Sequence, residues 1–337
     1  MADIEGFQVV RKRKGHRNRK CIENHSLSTV TVKSSQSSKT AECDPNQLKK
    51  NIDKCRTEIS TSEFFSRFQG LFVNGRLLEH SISTVETDSK KRTAVFMDPI
   101  VDIVCYGIGR IASCPIARYQ FAFLLLLKEF LQIAGDCFIY EPLFSQGETM
   151  IVKEMGCLLI KSNEEGKRKV EQLTLFFMLH CGKPLYNSVL WANWGPGLSN
   201  VIILGNRFSS YQERLPSRQL IDEAPYIYNI LPYTAETLVH NSFHHSDIFN
   251  DSAIHWFPRD MLTRVPHSVW QNCEEPKYDS NDPEIITQSL LSNMAVPPER
   301  NCAEEQFVIR GLPALAVARV TARVTARVAC QSPCPWR

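Results

Sequence analysis

The chain has 337 residues, 43% of them hydrophobic and 22% charged, with a formal net charge of +3. These values exclude a wholly disordered, collagen-like or fibrous protein and leave room for one or two domains. The charge is uneven: residues 1–20 hold seven Lys/Arg and two acids, residues 310–337 five Arg and no acid, and the body between them 27 basic against 34 acidic groups. A mildly acidic body has no electrostatic reason to coat nucleic acid, so weak binding through the tails is the most that charge allows. The longest apolar run, Phe121 to Leu127, is far too short to cross a bilayer, so no membrane span is expected. No secretory leader is written at the start, which makes cytoplasm and nucleus the expected locations. Twelve cysteines without a C-x-x-C pair then read as reduced thiols, and no metal site is expected from them.

Residues 1–45 read as a disordered basic arm and polar linker. Within it, Arg11-Lys12-Arg13-Lys14 fits a nuclear-import signal or a weak polyanion contact, with a solvated arm as the alternative. Residues 46–94 form a helical lead-in, because Leu48, Ile52, Cys55, Ile59, Phe64, Phe65 and Phe68 recur at threes and fours.

From 95 to 260 strands and helices alternate. Val101–Tyr106, Cys137–Tyr140, Cys157–Ile160, Leu173–Leu179 and Asn200–Leu204 are short, nearly all-apolar strands; Pro115 to about Ala134, Met150–Glu154 and Pro184–Trp194 are helices between them. Strands without polar alternation are buried on both faces, which predicts an α/β fold: a Rossmann-like, mostly parallel sheet of about five or more strands with helices on both sides. Tyr226 to Phe257 offers further strand material, and 261–337 reads as an irregular or disordered tail carrying an Arg-Val repeat.

The first strand runs into Gly107-Ile108-Gly109-Arg110-Ile111-Ala112, a G-x-G-x-x-[GA] pattern where that fingerprint has meaning. Glycines there let backbone approach a phosphate or carboxylate, and Glu141 at the end of the second strand stands where an acid meets a ribose hydroxyl. Two features depart from the dinucleotide pattern: the helix starts late, at Pro115, and the acid lies 29 residues beyond Ala112. Local turning and pairing is the competing account.

His180 and Cys181 end the fourth strand, suited to ligation, proton transfer or plain packing. The segment from Asn206 to Arg218 is dense in hydroxyls and guanidinium groups and reads as an anion clamp or a solvated loop. His240 and His244 have H-x-x-x-H spacing, but Asn241-Ser242-Phe243 is a poor helix former, so metal binding is not expected. Cys114, Cys181 and His180 could offer a haem ligand. The candidate ligand-binding set is therefore Gly107, Gly109, Glu141, His180, Cys181, Asn206 and Arg218, for haem or a nucleotide-type molecule. No catalytic residue is assigned.

Ten ordered motifs carry a family resemblance. They are Gly107-Ile108-Gly109, Ala117-Arg118-Tyr119-Gln120, Tyr140-Glu141-Pro142, Asn163-Glu164-Glu165-Gly166-Lys167, His180-Cys181, Leu190-Trp191-Ala192-Asn193-Trp194, Leu204-Gly205-Asn206, Ser209-Ser210-Tyr211, Leu215-Pro216-Ser217-Arg218 and His255-Trp256-Phe257. Over about residues 95–260 the chain resembles the sensitivity-to-red-light-reduced family, in its animal branch, departing from it where Leu179 stands before His180. The resemblance implies a regulatory protein acting on haem biosynthesis and circadian clock gene expression through protein partners or a bound small molecule. It implies no established reaction. The alternative from another class is an S-adenosylmethionine- or dinucleotide-dependent enzyme.

Overall fold

The computed structural model describes residues 44–279, apart from 74–75, 80–94 and 97, together with 282 and 284–290. The basic arm, with Arg11, Lys12, Arg13 and Lys14, and the Arg-Val repeat lie outside the described residues. No described helix is long and apolar enough to cross a membrane.

Seven strands form the main sheet. They are β4 (Asp102–Tyr106), β5 (Cys137–Tyr140), β6 (Leu158–Leu159), β7 (Thr174–Met178), β8 (Val201–Asn206), β9 (Ala235–Leu238) and β10 (Ser252–Trp256), in the spatial order β6-β5-β4-β7-β8-β10-β9. The first five are parallel, as their apolar runs predict, and β10 is antiparallel to both β8 and β9. Before them, β1 (Phe72–Val73), β2 (Arg76–Glu79) and β3 (Val95–Phe96) make a small antiparallel sheet that the hydrophobic pattern does not announce.

Alternate residues of each central strand enter two different cores. Ile103, Cys105, Leu175, Phe177, Ile202 and Leu204 face one; Val104, Tyr106, Phe176, Met178, Val201 and Ile203 face the other. Burial on both sides explains why the strands lack polar alternation. The first core is roofed by α1 (Pro45–Ser60), α2 (Glu63–Gln69), α3 (Pro115–Phe130) and α4 (Gln146–Glu154). Asp44 caps α1 by accepting from the Asn46 N–H, with Pro45 at the first position, and its stripe Leu48, Ile52, Cys55, Ile59 is buried. That stripe packs on α3, which therefore carries apolar residues on more than one face. Phe64 of α2 stacks on Phe249 with ring centroids 4.2 Å apart and meets Phe123 of α3 edge-on at 5.4 Å, so the lead-in helices share the main core.

The second core lies under α5 (Lys183–Ala192), α6 (Phe208–Arg214), α7 (Ser217–Glu223) and α8 (Pro225–Ile230). Two expectations are corrected here. Residues 225–230 are helical, because Pro225 starts the turn and Tyr226, Ile227 and Ile230 reach inward from one face. The tail is ordered in part: α9 (Arg259–Leu262) and α10 (His267–Gln271) fold back, and Glu284 to Leu290 lies against the sheet's carboxyl edge.

Candidate functional site

The strand order reverses direction of growth between β4 and β7, and it is beyond the carboxyl ends of strands at such a switch point that open α/β sheets hold ligands. A cavity of about 530 Å³ lies there. Gly107, Gly109, Glu141 and His180 all line it, together with Arg110, Gln120, Leu143, Asp282 and a strap formed by Glu284 to Leu290.

Gly107 and Gly109 have φ of 65° and 80°, a region that side-chain-bearing residues rarely enter. A Cβ on Gly107 would stand 2.9 Å from the Cys181 sulfur. Two carboxylates latch the loop that follows. Glu141 accepts from the N–H of Gly109 at 2.8 Å and of Leu143 at 3.0 Å, while Glu148, in the capping box of α4, accepts from the Ala112 N–H at 2.8 Å. The Arg118 guanidinium closes the loop from the other side by donating to the carbonyls of Ile111 and Ala112. Burial raises the Glu141 carboxyl above its ordinary range, and the Gly109 and Leu143 N–H groups pull it back.

His180 is held in a left-handed conformation, φ 57°, because its N–H donates to the Asn206 Oδ1 at 2.9 Å. Gln120 Nε2 donates to the Ile248 carbonyl at 3.0 Å and lies 3.2 Å from His180 Nδ1. That nitrogen is therefore the acceptor, which puts the proton of a neutral ring on Nε2. Burial lowers the imidazole, against the opposing pull of Asn250, Asp247 and Asp251. Nε2 is buried and makes no hydrogen bond of good geometry.

Cys181 and Asn206 stand behind the cavity wall. The thiol donates to the Tyr106 carbonyl at 3.2 Å, and the Asn206 amide donates to the Cys181 carbonyl and the Tyr211 hydroxyl at 2.9 and 3.1 Å. Both build the turn that carries His180. Arg218 is exposed on α7 and is not brought to the cavity. The anion clamp read from this segment is instead helical, with Arg207 paired to Glu213 and Arg214 to Asp251 at 3.1 Å. Cys114, before α3, does line the cavity.

His240 and His244 lie on a loop, so their spacing does not place them on one helix face. Among the described residues, one trio of side chains could share a metal ion: Glu58, His244 and His245, with ligand atoms all within 4.8 Å. His255 is fully buried, its Nε2 3.0 Å from Glu236, and belongs to the sheet's core. None of the seven described cysteines is joined in a disulfide.

Sequence reasoning missed Gln120, Glu148 and the strap. It also missed Tyr106, whose hydroxyl donates to Glu164 at 2.7 Å, with Glu164 gripped by both arms of Arg168 at 2.9 and 2.8 Å. Burial and the Glu164 carboxylate push the Tyr106 phenol well up, so it stays a donor. The strap is pinned by Glu284, which accepts from the Lys183 backbone N–H at 3.1 Å and its ammonium at 2.8 Å, and by Asn163, which donates to the Ile286 carbonyl at 2.6 Å.

The model of the SRR1 domain family matches residues 78–256, just over half of the chain. An SRR1-like protein of Mus musculus is 49% identical over 130 residues, 38% of this chain and 52% of the mouse protein, so that alignment spans about half the relative's length. Protein SENSITIVITY TO RED LIGHT REDUCED 1 of Arabidopsis thaliana is 28% identical over 232 residues, 67% of this chain and 81% of the plant protein. An SRR1-like protein of Drosophila melanogaster is 26% identical over 301 residues, 88% and 98% of the two chains. No solved structure matches. With a mostly parallel α/β sheet, a glycine turn after its first strand and a family match across that sheet, the chain belongs to the SRR1 domain family.

Proposed function

We propose that this protein is a regulator of the SRR type that works by holding a small organic molecule at the carboxyl edge of its sheet, protein partners responding to the filled or empty state. Its field of action is the regulation of haem biosynthesis and of circadian clock gene expression, in cytoplasm and nucleus. The name of the Arabidopsis relative ties that protein to red-light sensitivity, which accords with a signalling role. The observation that carries the reading is the convergence of Gly107, Gly109, Glu141 and neutral His180 on one 530 Å³ cavity at the switch point. That volume lies in the range of small-molecule sites, about 300–1,000 Å³.

Leu143→Trp tests it, because Leu143 is half-buried on the cavity wall and an indole there fills the space without opening the core. In cells lacking the protein, the wild type should restore haem content and rhythmic transcript amplitude. The Trp variant, at equal abundance and with its melting temperature unchanged within about 3 °C, should restore less than half of either. Full rescue by the filled variant contradicts the reading.

A further inference from the structure

The way this cavity is wired selects its ligand. A dinucleotide site needs backbone N–H groups of the glycine loop and of the following helix N-terminus free to meet a pyrophosphate. Here the Gly109 and Ala112 N–H groups are already given to Glu141 and Glu148, and the Cys114 N–H to the Arg110 carbonyl at 3.0 Å. The helix itself opens with Pro115, which has no N–H, six residues after Gly109. Carboxylates therefore stand where phosphates would bind. A diphosphate entering the loop would meet Glu141 and displace hydrogen bonds that hold the loop in place.

A nucleoside without phosphates meets no such conflict. A carboxylate offers about four lone-pair positions, and Glu141 spends two of them on Gly109 and Leu143. The remaining two suit the paired hydroxyls of a ribose, the partner that an acid ending the second strand takes in this architecture. Asp282 adds negative charge to the wall, and Arg110 is a single guanidinium at the exposed end. Such a wall accommodates a cationic arm that ends in one carboxylate.

The sheet order points the same way. Dinucleotide domains continue past the fifth strand with a sixth parallel strand. Numbered from β4, this sheet runs 3-2-1-4-5-7-6 with the seventh strand reversed.

We infer that the cavity takes a phosphate-free adenosyl sulfonium compound of the S-adenosylmethionine class, its ribose on Glu141 and its amino-acid carboxylate toward Arg110. The inference rests on the ligand-holding reading above and narrows it. Thermal-shift and calorimetric titrations of the full chain with S-adenosylmethionine, S-adenosylhomocysteine, NAD, ATP and hemin test it. Either adenosyl-sulfur compound should raise the melting temperature by several degrees, while NAD and ATP do not. Glu141→Gln keeps an acceptor for Gly109 and should weaken that binding at least tenfold; Leu143→Trp should abolish it and serves should the first variant fold poorly. Binding of NAD, ATP or hemin that depends on Leu143, with no response to the adenosyl-sulfur compounds, overturns the inference and leaves the ligand-holding reading standing. Silence from all five overturns the inference, and native mass spectrometry then separates the two: a chain that carries another small molecule keeps the broader reading, and a bare chain removes both.

Discussion

Gly205→Ala will lower the melting temperature by about 6–12 °C, the shift expected for roughly 3 kcal/mol in a domain of this size. Gly205 lies in the middle of the sheet, opposite Met178 on one side and Ala253 on the other. An added Cβ would stand 2.6 Å from Cε1 and 2.7 Å from the hydroxyl of Tyr186. The ring cannot swing away, because it is fully buried and its hydroxyl donates to the Met178 carbonyl while accepting from the Asn206 N–H at 2.9 Å. Asn206 and Met178 in turn support the His180 turn, so the same methyl should disturb the cavity wall. Gly197→Ala is the matched control, since nothing lies within 4 Å of its added Cβ. Thermal melts of the two variants decide: equal midpoints would show that the Tyr186 contact is not the constraint described.

Acid will remove a second contribution, and Glu236→Gln will remove it at every pH. Partial burial works to raise the Glu236 carboxyl, yet hydrogen bonds from His255 and Ser209 hold it down at about 2, against an ordinary 4.5. The folded value is the depressed one, so the stabilisation is complete above the unfolded carboxylate range and is lost as pH falls from about 4.5 toward about 2. A shift of that size corresponds to about 3 kcal/mol where the carboxylate faces a charged imidazole. The geometry is well enclosed: the carboxylate lies 3.0 Å from His255 Nε2, accepts from the Ser209 hydroxyl at 2.6 Å, and His255 stacks on Phe208 with centroids 4.0 Å apart. Urea unfolding of wild type and Glu236→Gln across pH should therefore give a gap that is widest above pH 5 and closes toward pH 2. A gap constant with pH would place the loss in packing rather than in the carboxylate.

The parallel strands were legible because burial on both faces leaves an unbroken apolar run, as in Ile103-Val104-Cys105-Tyr106 and Leu175-Phe176-Phe177-Met178. Gly107, Gly109 and Glu141 were legible because a fingerprint at a strand end fixes where backbone and acid must stand. Tyr226-Ile227-Tyr228 imitates a strand in composition, and its helical state follows from Pro225 and from packing under α5, which local pattern does not record. Asn206 was found for its position, but its task of holding the His180 N–H emerges only from contact across 26 residues. Glu148 and Gln120 meet the site from 36 and 60 residues away, and the Glu284 to Leu290 strap has no periodicity to mark it. Arg218 looked like a clamp because Arg beside Ser suits anions, whereas α7 turns it to solvent.

The most direct measurement is the native mass of the freshly isolated full chain, compared with its denatured mass and with that of Leu143→Trp. An occupied cavity predicts a native mass larger by one small organic molecule, released on denaturation and absent from the Trp variant. A native mass equal to that of the polypeptide, unchanged after incubation with the five compounds titrated above, would contradict the claim that the loop at Gly107 and the carboxylate of Glu141 enclose a working site.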